Sequence, residues 1–188
     1  DTTGHVIAFG GRAMEKDAKP KYLNSPETEL FHKGHQLYRY KRAREAAAMA
    51  DVEGLIVCEG YMDAIALTEA GFGYAVAPLG TALTEDQLSL LWKVGGEPIL
   101  CFDGDEAGIR AAHKAVDRAL PHLEPGRSLF FTLLPDGLDP DDMIRERGKD
   151  AMREARNGFD LIIDTIPVAH KLQAYLPLLD IDGSLVIV

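Results

Sequence analysis

Short apolar runs alternate with helix-like segments through the middle of the chain, and this alternation restricts the fold more than any other feature. Four runs have the length and composition of strands: residues 55–58, 74–77, 98–102 and 128–134. Each is followed by a segment of helical composition: residues 61–70, 85–94, 106–123 and 141–147. Continuously apolar strands are typical of a sheet covered on both faces. The pattern therefore predicts an α/β fold with a doubly wound, mostly parallel sheet flanked by helices.

The two flanking segments differ from this middle part. A strand-like run at 5–9 and a loop rich in Lys and Pro lead to a helix-like segment at 36–50, which predicts a small α+β unit. After the sheet, a strand (159–166), a helix (169–179) and a strand (185–188) are predicted. We therefore expect three units, with these bounds: 1–50, 51–150 and 151–188.

Charge is divided unevenly along the chain. Residues 1–50 carry a net charge of +3, whereas residues 51–150 carry −11. A basic segment before an acidic one suits a protein that holds phosphates with one part and cations with the other, although two solvated surfaces are an equally good explanation. No run of 18 apolar residues and no signal peptide is present, so we expect a cytoplasmic protein without a membrane partner. Cys58 and Cys101 lie in apolar runs and predict buried thiols, not a zinc site.

Carboxylates follow three of the predicted strands at the point where each strand ends: Glu59 after the first, Asp103 and Asp105 after the third, and Asp139, Asp141 and Asp142 after the fourth. Ligands of an open parallel sheet bind at the carboxyl ends of its strands. These side chains are therefore expected to converge at one edge of the sheet. Asp63 lies about one helical turn after Glu59 and is expected at the same edge.

A divalent cation is the simplest explanation for such a cluster, because closely spaced like charges repel. Oxygen ligands favour Mg²⁺ or Mn²⁺ over zinc. Each carboxylate also has an ordinary explanation by itself. Glu59 can begin a helix, Asp105 can cap one, and the sequence from Asp139 to Asp141 can form a turn. Their occurrence after three strands favours the metal site.

Longer stretches around these acids resemble a known family. The words Glu59-Gly60-Tyr61-Met62-Asp63, Asp103-Gly104-Asp105 and Asp139-Pro140-Asp141 resemble the three acidic motifs of a Toprim domain. Gly10-Gly11-Arg12, residues 20–28 and residues 31–34 resemble the segment that precedes the Toprim domain in bacterial replicative primases. The resemblance covers roughly residues 4–155. Other Toprim proteins, such as topoisomerases and small nucleases, share the acids but not the 21–34 stretch.

The resemblance implies roles for the matching residues. Glu59, Asp103 and Asp105 would hold two or more catalytic Mg²⁺ or Mn²⁺ ions, and Asp63, Asp139 and Asp141 would complete the acidic patch. A basic groove for template and nucleotide phosphates would contain Arg12, Lys21, Asn24 and Lys33. The implied activity is synthesis of RNA primers from NTPs on single-stranded DNA. A replicative helicase would be contacted only through a domain outside these residues.

The chain departs from the primase pattern in two ways. The zinc ribbon and the front of the polymerase region are not found, and Asp1 stands where an initiator Met would, so we expect a piece of a longer protein. Residues 158–188 resemble part of the cofactor domain of zinc-dependent medium-chain alcohol dehydrogenases, without the Gly-rich phosphate turn or the zinc ligands. The alternatives to a primase core are a Toprim nuclease or phosphohydrolase, and a catalytically incomplete fragment that only binds metal and nucleic acid.

Overall fold

A computed structural model describes the backbone of residues 1–15, 17–80, 82–157, 159–164 and 179–187, and the side chains of this set up to residue 155 except at 133 and 136. The strands are β1 (Gly10–Arg12), β2 (Tyr22–Asn24), β3 (Ile56–Val57), β4 (Ala75–Val76), β5 (Ile99–Phe102), β6 (Leu129–Leu133), β7 (Phe159–Asp164) and β8 (Leu179–Ile187). The helices are α1 (Tyr40–Ala50), α2 (Tyr61–Glu69), α3 (Glu85–Trp92), α4 (Glu106–Ala119) and α5 (Pro140–Asn157). Within this part of the chain, every helix is too short or too polar to span a bilayer.

The central sheet has six strands in the order β4-β3-β5-β6-β7-β8. Strands β4, β3, β5 and β6 are parallel, with Val57 opposite both Val76 and Leu100. Strand β7 runs antiparallel to β6, and β8 runs parallel to β7. The predicted α/β fold with a mostly parallel sheet flanked by helices is confirmed, and its parallel part has four strands.

The direction of winding reverses between β3 and β5. From β3 the chain passes through α2 to β4 on one side, and it then crosses back through α3 to β5 on the other side of β3. Helix α2 packs against α5, and α3 packs against α4. A sheet wound in both directions leaves a crevice at the carboxyl ends of the two strands where the winding reverses. Residues that directly follow β3 and β5 therefore lie at the natural binding crevice of this fold.

The core lies between the parallel strands and their helices. Its residues in the strands and directly before β3 include Leu55, Ile56, Val76 and Leu100, which are fully buried. Helix α4 buries a row of small residues, Ala112, Ala115 and Ala119, at the three- and four-residue spacing of one helical face. Small side chains on this face allow a close approach of the helix to the sheet. Both cysteines are buried and free, as predicted.

The first fifty residues differ from the prediction at two points. The expected strand at 5–9 is wrong: the strand is β1, which begins at Gly10 and pairs with β2. Phe9 is 78% exposed and is hydrogen-bonded to Ser25, but the pairing of the two strands begins only at Gly10. The helix expected from residue 36 begins at Tyr40, because Arg39 adopts a left-handed conformation (φ 65°) that no α-helix can contain.

The remaining elements follow the predicted order. Helix α5 is longer than the expected 141–147 segment and is interrupted at Gly148, whose φ is 83°. The two strands of the tail are confirmed, although β8 begins earlier than expected, at Leu179. The helix expected at 169–179 lies outside the described residues, except that Leu179 belongs to β8.

A buried glutamine joins the N-terminal segment to the sheet domain. Gln87 on α3 is fully buried. Its Nε2 donates to the carbonyl oxygens of Lys33 (3.0 Å) and Gln36 (2.7 Å), and its Oε1 accepts from the backbone N–H of Thr84 at 3.0 Å. A buried carbonyl that loses its donor is destabilising. The side chain of Gln87 therefore satisfies backbone groups of two segments at once.

We expect Gln87→Met, which keeps the volume but removes the amide, to lower the free energy of unfolding by about 2–4 kcal/mol, because the carbonyl of Gln36 and the N–H of Thr84 lose their partner. Urea unfolding followed by circular dichroism measures this change. The control is Ser89→Ala on the exposed face of the same helix, which should stay within about 0.5 kcal/mol of the parent. Equal stability of the Gln87→Met variant and the parent would contradict the assigned role.

Candidate metal centre

Glu59 and Asp103 meet at the crevice between β3 and β5. Cys58 separates Glu59 from the end of β3, and Asp103 directly follows β5. The backbone N–H of Asp103 donates to Glu59 Oε1 at 3.3 Å. Desolvation raises the pKa of Glu59, and the charge of Asp105 raises it further, whereas the hydrogen bond from Asp103 lowers it. The convergence of these two predicted residues is therefore present in the structure.

Asp63 is the most buried carboxylate of the cluster. It lies in the first turn of α2, is only 8% exposed, and accepts a hydrogen bond from the backbone N–H of Gly60 at 3.0 Å. Burial raises the pKa of Asp63 to about 7, with a further contribution from the charge of Asp139. The hydrogen bond to the N-cap of α2 holds this carboxylate at the crevice, where it is largely shielded from water.

Asp103 has the same shift for a similar reason. Desolvation and the neighbouring carboxylates, Glu59 first and then Asp63, raise the pKa of Asp103 to about 7. Its Oδ1 atom is buried and has no hydrogen-bond partner. A buried carboxylate oxygen without a donor is rare in proteins and calls for a specific explanation.

Asp139 enters the crevice from the loop after β6, and Asp141 from the first turn of α5. Asp139 Oδ1 accepts from the backbone N–H of Asp142 at 2.7 Å. Arg145 pairs with Asp141 at 2.7 Å and with Asp142 at 3.1 Å. The sequence prediction did not include Arg145, although its four-residue spacing from Asp141 on a predicted helix is a recognisable signal for an ion pair. This side of the cluster therefore contains a cation of its own.

Asp105 has a different local role. It is the N-cap of α4, and its Oδ1 accepts from the backbone N–H of Gly108 at 2.7 Å. It is exposed and is not part of the lining of the crevice, although its charge contributes to the raised pKa values of Glu59 and Asp103. Its predicted role as a metal ligand stays a prediction, and its capping role is observed.

Two glycines hold the loops of the acidic motifs together. A Cβ at Gly104 would lie 1.8 Å from the carbonyl oxygen of Leu134, and one at Gly108 would lie 2.1 Å from that of Asp103. The backbone of Gly104 also donates to Leu138 at 3.1 Å and accepts from Gly137 at 2.9 Å. Only glycine permits this approach, so the loops after β5 and β6 are joined through their backbones.

The hairpin β1–β2 lies across the crevice from the acids. Arg12, Lys21 and Asn24 line the same cavity of about 570 Å³ as Glu59, Asp63, Asp103, Asp139 and Asp141. Asn24 is fixed there by its side chain, which donates to the carbonyl oxygen of Leu79 at 3.0 Å. Lys33 is not part of this lining, and its backbone bonds to Gln87 and Glu27 instead. The structure thus brings three of the four predicted phosphate-binding residues to the acids.

Aromatic residues that the sequence prediction missed connect the two sides. The hydroxyl of Tyr61 donates to Asn24 Oδ1. The ring of Tyr61 lies 5.1 Å from that of Tyr38 and 6.5 Å from that of Tyr22. Tyr22 in turn lies under Arg12 and accepts a hydrogen bond from its Nε at 3.2 Å. These contacts hold the hairpin against α2.

The donor set fits a hard divalent cation. All of its donors are carboxylate oxygens, which hard cations prefer. Burial and repulsion from neighbouring carboxylates raise the pKa of Asp63 and of Asp103 to about 7. The Oδ1 atom of Asp103 also has no hydrogen-bond partner. Among the described residues, however, no group of three or more His, Cys, Asp or Glu side chains already forms a metal site. Glu59, Asp63 and Asp103 would need side-chain movement to share one ion, so the six-residue ligand set stays a prediction.

Known proteins resemble this chain over most of its length. Residues 1–44 match the family "DNA primase catalytic core, N-terminal domain", and residues 53–126 match the Toprim domain family. DNA primase of Escherichia coli K12 is 51% identical over 156 residues, which are 83% of this chain and 26% of that protein. DNA primase of Pseudomonas aeruginosa is 48% identical over 153 residues, 81% of this chain and 23% of that protein. Over these stretches the chain is similar to the catalytic core of bacterial DNA primases.

Solved primase structures have the same fold. A primase domain from Pseudomonas aeruginosa superposes with a TM-score of 0.77 and 47% identity over 82% of this chain and 47% of that one. The E. coli primase catalytic core gives 0.77 and 44% identity over 96% of this chain and 55% of that one. A primase catalytic domain bound to single-stranded DNA gives 0.76 and 49% identity over 82% and 48% of the two chains. The chain spans about a quarter of the length of the curated relatives it matches.

The raised pKa values predict how stability depends on pH without metal. In the unfolded chain Asp63 loses its proton near its ordinary pKa of 3.8, but in the folded protein only near 7. The folded state therefore binds more protons between these values, and stability falls as the pH rises from about 4 to 7. We expect Asp63→Asn, measured in EDTA, to raise Tm at pH 8 by at least about 2–4 °C, the shift for about 1 kcal/mol in a chain of this size. At pH 4 the two proteins should melt alike.

Mn²⁺ should act in the opposite sense to protons, because ligands must lose their protons to bind a metal. We expect a larger rise in Tm on adding Mn²⁺ at pH 8 than at pH 5.5 for the parent, and little rise at either pH for Asp103→Asn. Asp117→Asn, an exposed carboxylate on α4, is the matched control and should respond like the parent. A response to Mn²⁺ that does not change with pH would contradict a site built on these carboxylates.

Proposed function

We propose that this chain is the part of a primase catalytic core that joins nucleotides into RNA primers on single-stranded DNA. One observation carries the proposal: the carboxylates of the Toprim motifs and the cations of the β1–β2 hairpin line the same cavity. Nucleotidyl transfer needs both, since the reacting triphosphate is an anion whose phosphates must be held next to a divalent cation. The primase relatives and the structure bound to single-stranded DNA support this choice of reaction and template.

The proposed roles of the acidic residues differ with their position in the cavity. Glu59 and Asp103 lie at the crevice and would hold the cations, with Asp105, Asp63, Asp139 and Asp141 as the other predicted members. Bound Mg²⁺ or Mn²⁺ would supply Lewis-acid activation of a primer 3′-hydroxyl and neutralise charge on the leaving pyrophosphate. The protein's own contribution is to hold its oxygen donors in a partly desolvated crevice, where the attraction between a carboxylate and a cation is stronger than in water.

The basic residues would hold the phosphates. Arg12 presents a planar guanidinium suited to two-point contact with a phosphate, and Lys21 presents a compact positive charge. Asn24 would contribute its amide from a fixed position. Lys33, although outside the cavity lining, stays in the proposal as a contact to the template further along the groove. NTPs, template and primer are the proposed partners, and a replicative helicase would bind elsewhere in the whole protein.

The unit bounds are part of the same proposal. We assign residues 1–50 to the end of the basic polymerase subdomain, 51–150 to the Toprim domain and 151–188 to the tail. The family matches at 1–44 and 53–126 support the first boundary.

The resemblance of residues 158–188 to alcohol dehydrogenases is proposed only as a likeness of sequence. It implies no dehydrogenase activity, because the phosphate turn and zinc ligands are missing. We also propose that the whole protein acts in the cytoplasm, with the replication machinery at the nucleoid.

A catalytically incomplete segment is the second candidate function. The chain spans 26% of the E. coli primase, so template contacts from other parts of the whole protein can be essential for synthesis. Such a segment would bind Mn²⁺ and single-stranded DNA without making primers. A Toprim nuclease would use the same carboxylates to cleave the template instead.

We expect the chain to make short RNA from NTPs on a single-stranded template with Mn²⁺, and Asp103→Asn to lower the rate by about 100-fold or more, because a buried oxygen donor to the cation is lost. Labelled primers resolved on a gel measure this. Asp117→Asn should retain the parent's rate. Cleaved template in place of product would favour the nuclease, and Mn²⁺ binding by calorimetry without product would favour the incomplete segment.

A further inference from the structure

A second cavity continues the groove beyond the acidic cluster. It has a volume of about 610 Å³ and lies between the N-terminal segment and the start of α1. The two cavities share part of their lining, namely Arg12, Tyr22, Asn24, Tyr61 and Met62. A ligand that lies along the β1–β2 hairpin in one cavity can therefore extend into the other without leaving the surface.

The start of α1 places three cations in this second cavity: Arg39, which precedes the helix, and Lys41 and Arg42 in its first turn. We call these residues the α1 cation cluster. The first turn contains no acidic residue. Cations next to a helix N-terminus are repelled by the positive end of the helix dipole, and a bound anion there relieves that repulsion. The sequence of this turn is therefore unfavourable for the isolated helix and favourable for binding an anion.

Protein carboxylates do not neutralise the α1 cation cluster. Lys41 has a distant pairing with Glu45, at 3.8 Å between exposed side chains. Arg39 and Arg42 form no ion pair with any residue whose side chain the structure describes. The other carboxylate in the cavity lining, Asp1, is occupied by hydrogen bonds from Thr3 and His5. Two guanidinium groups therefore remain available to a ligand.

Arg39 gives an independent indication of a ligand. Its Nε atom is buried and has no hydrogen-bond partner. Its backbone has φ 65°, a left-handed conformation that favours glycine and that a long side chain rarely adopts. A residue held in an unfavourable conformation with an unpaired buried donor is more often explained by function than by stability.

We propose that the α1 cation cluster binds the sugar-phosphate backbone of single-stranded nucleic acid that continues from the metal centre past the β1–β2 hairpin. This rests on the proposed function and extends its groove by a second phosphate subsite. Aromatic rings in the shared and adjoining lining favour a single strand over a free phosphate. Phe9 is 78% exposed and Tyr22 is 42% exposed, so both can stack on unpaired bases.

The test compares long and short oligonucleotides. Fluorescence anisotropy in EDTA, which removes any contribution of bound metal, measures the affinity for labelled oligodeoxythymidylates of about 4 and about 16 nucleotides. The variant is the double substitution Arg39→Gly and Arg42→Gln; glycine at 39 removes the charge and fits the left-handed backbone. The matched control is Arg44→Gln, which removes a positive charge from the same helix but lies over the ring of Tyr40 and outside both cavity linings.

We expect the double variant to bind the long oligonucleotide at least about fivefold more weakly at low salt, and the slope of log affinity against log salt to become shallower by about 1.4, the loss of two phosphate contacts on a single strand. Binding of the short oligonucleotide and binding by Arg44→Gln should be unchanged. Parent-like affinity and salt slope in the double variant, or a parent that binds long and short oligonucleotides equally, would overturn the subsite. Failure of priming in Asp103→Asn tests the metal centre separately, because the binding measurements contain no metal.

Discussion

Repulsion between carboxylates at the reversal of the sheet is the constraint on which the rest of this structure depends. The strand order places the residues after β3 and β5 side by side, so Glu59 and Asp103 cannot be separated without changing the fold. Asp63 adds a third charge from the first turn of α2, and its burial shows that the helix position is kept despite the loss of hydration. A protein under selection for stability alone would place apolar residues here, or one charged residue instead of several. The arrangement is consistent instead with a site that is completed by cations.

Backbone contacts, more than side-chain contacts, determine where these charges lie. Gly104 is hydrogen-bonded to the backbone of the loop after β6 through both its N–H and its carbonyl group, so the loops of the second and third acidic motifs are joined directly. Gly108 allows α4 to begin directly beneath Asp103, and Asp105 then caps that helix. The motif glycines are therefore as much part of the site as the acids, because a Cβ at either position would collide with a carbonyl oxygen.

The sequence predicted the features that follow from periodicity and from strand ends. Apolar runs were sufficient to predict the parallel strands and the helices between them. The general rule for ligand sites in open sheets was sufficient to predict that Glu59 and Asp103 converge. It did not predict features that depend on a single backbone torsion or on long-range contact. The start of α1 is set by the left-handed Arg39, which has no signature in composition because such positions usually favour glycine. The strand expected at 5–9 is not formed, because β1 pairs with β2 only over Gly10–Arg12, and Phe9 beside it stays 78% exposed.

The carboxylates in and beside the crevice differ in how the protein itself satisfies them. Asp141 and Asp142 share the guanidinium of Arg145, and Asp105 is engaged in capping α4. Glu59 and Asp103 have no cationic partner among the described side chains. Desolvation, and after it the charges of neighbouring carboxylates, raises their pKa values. The protein thus neutralises the rim of the cluster and leaves its centre uncompensated. A divalent cation would therefore be attracted most strongly to the point between β3 and β5, across the cavity from the cations of the β1–β2 hairpin.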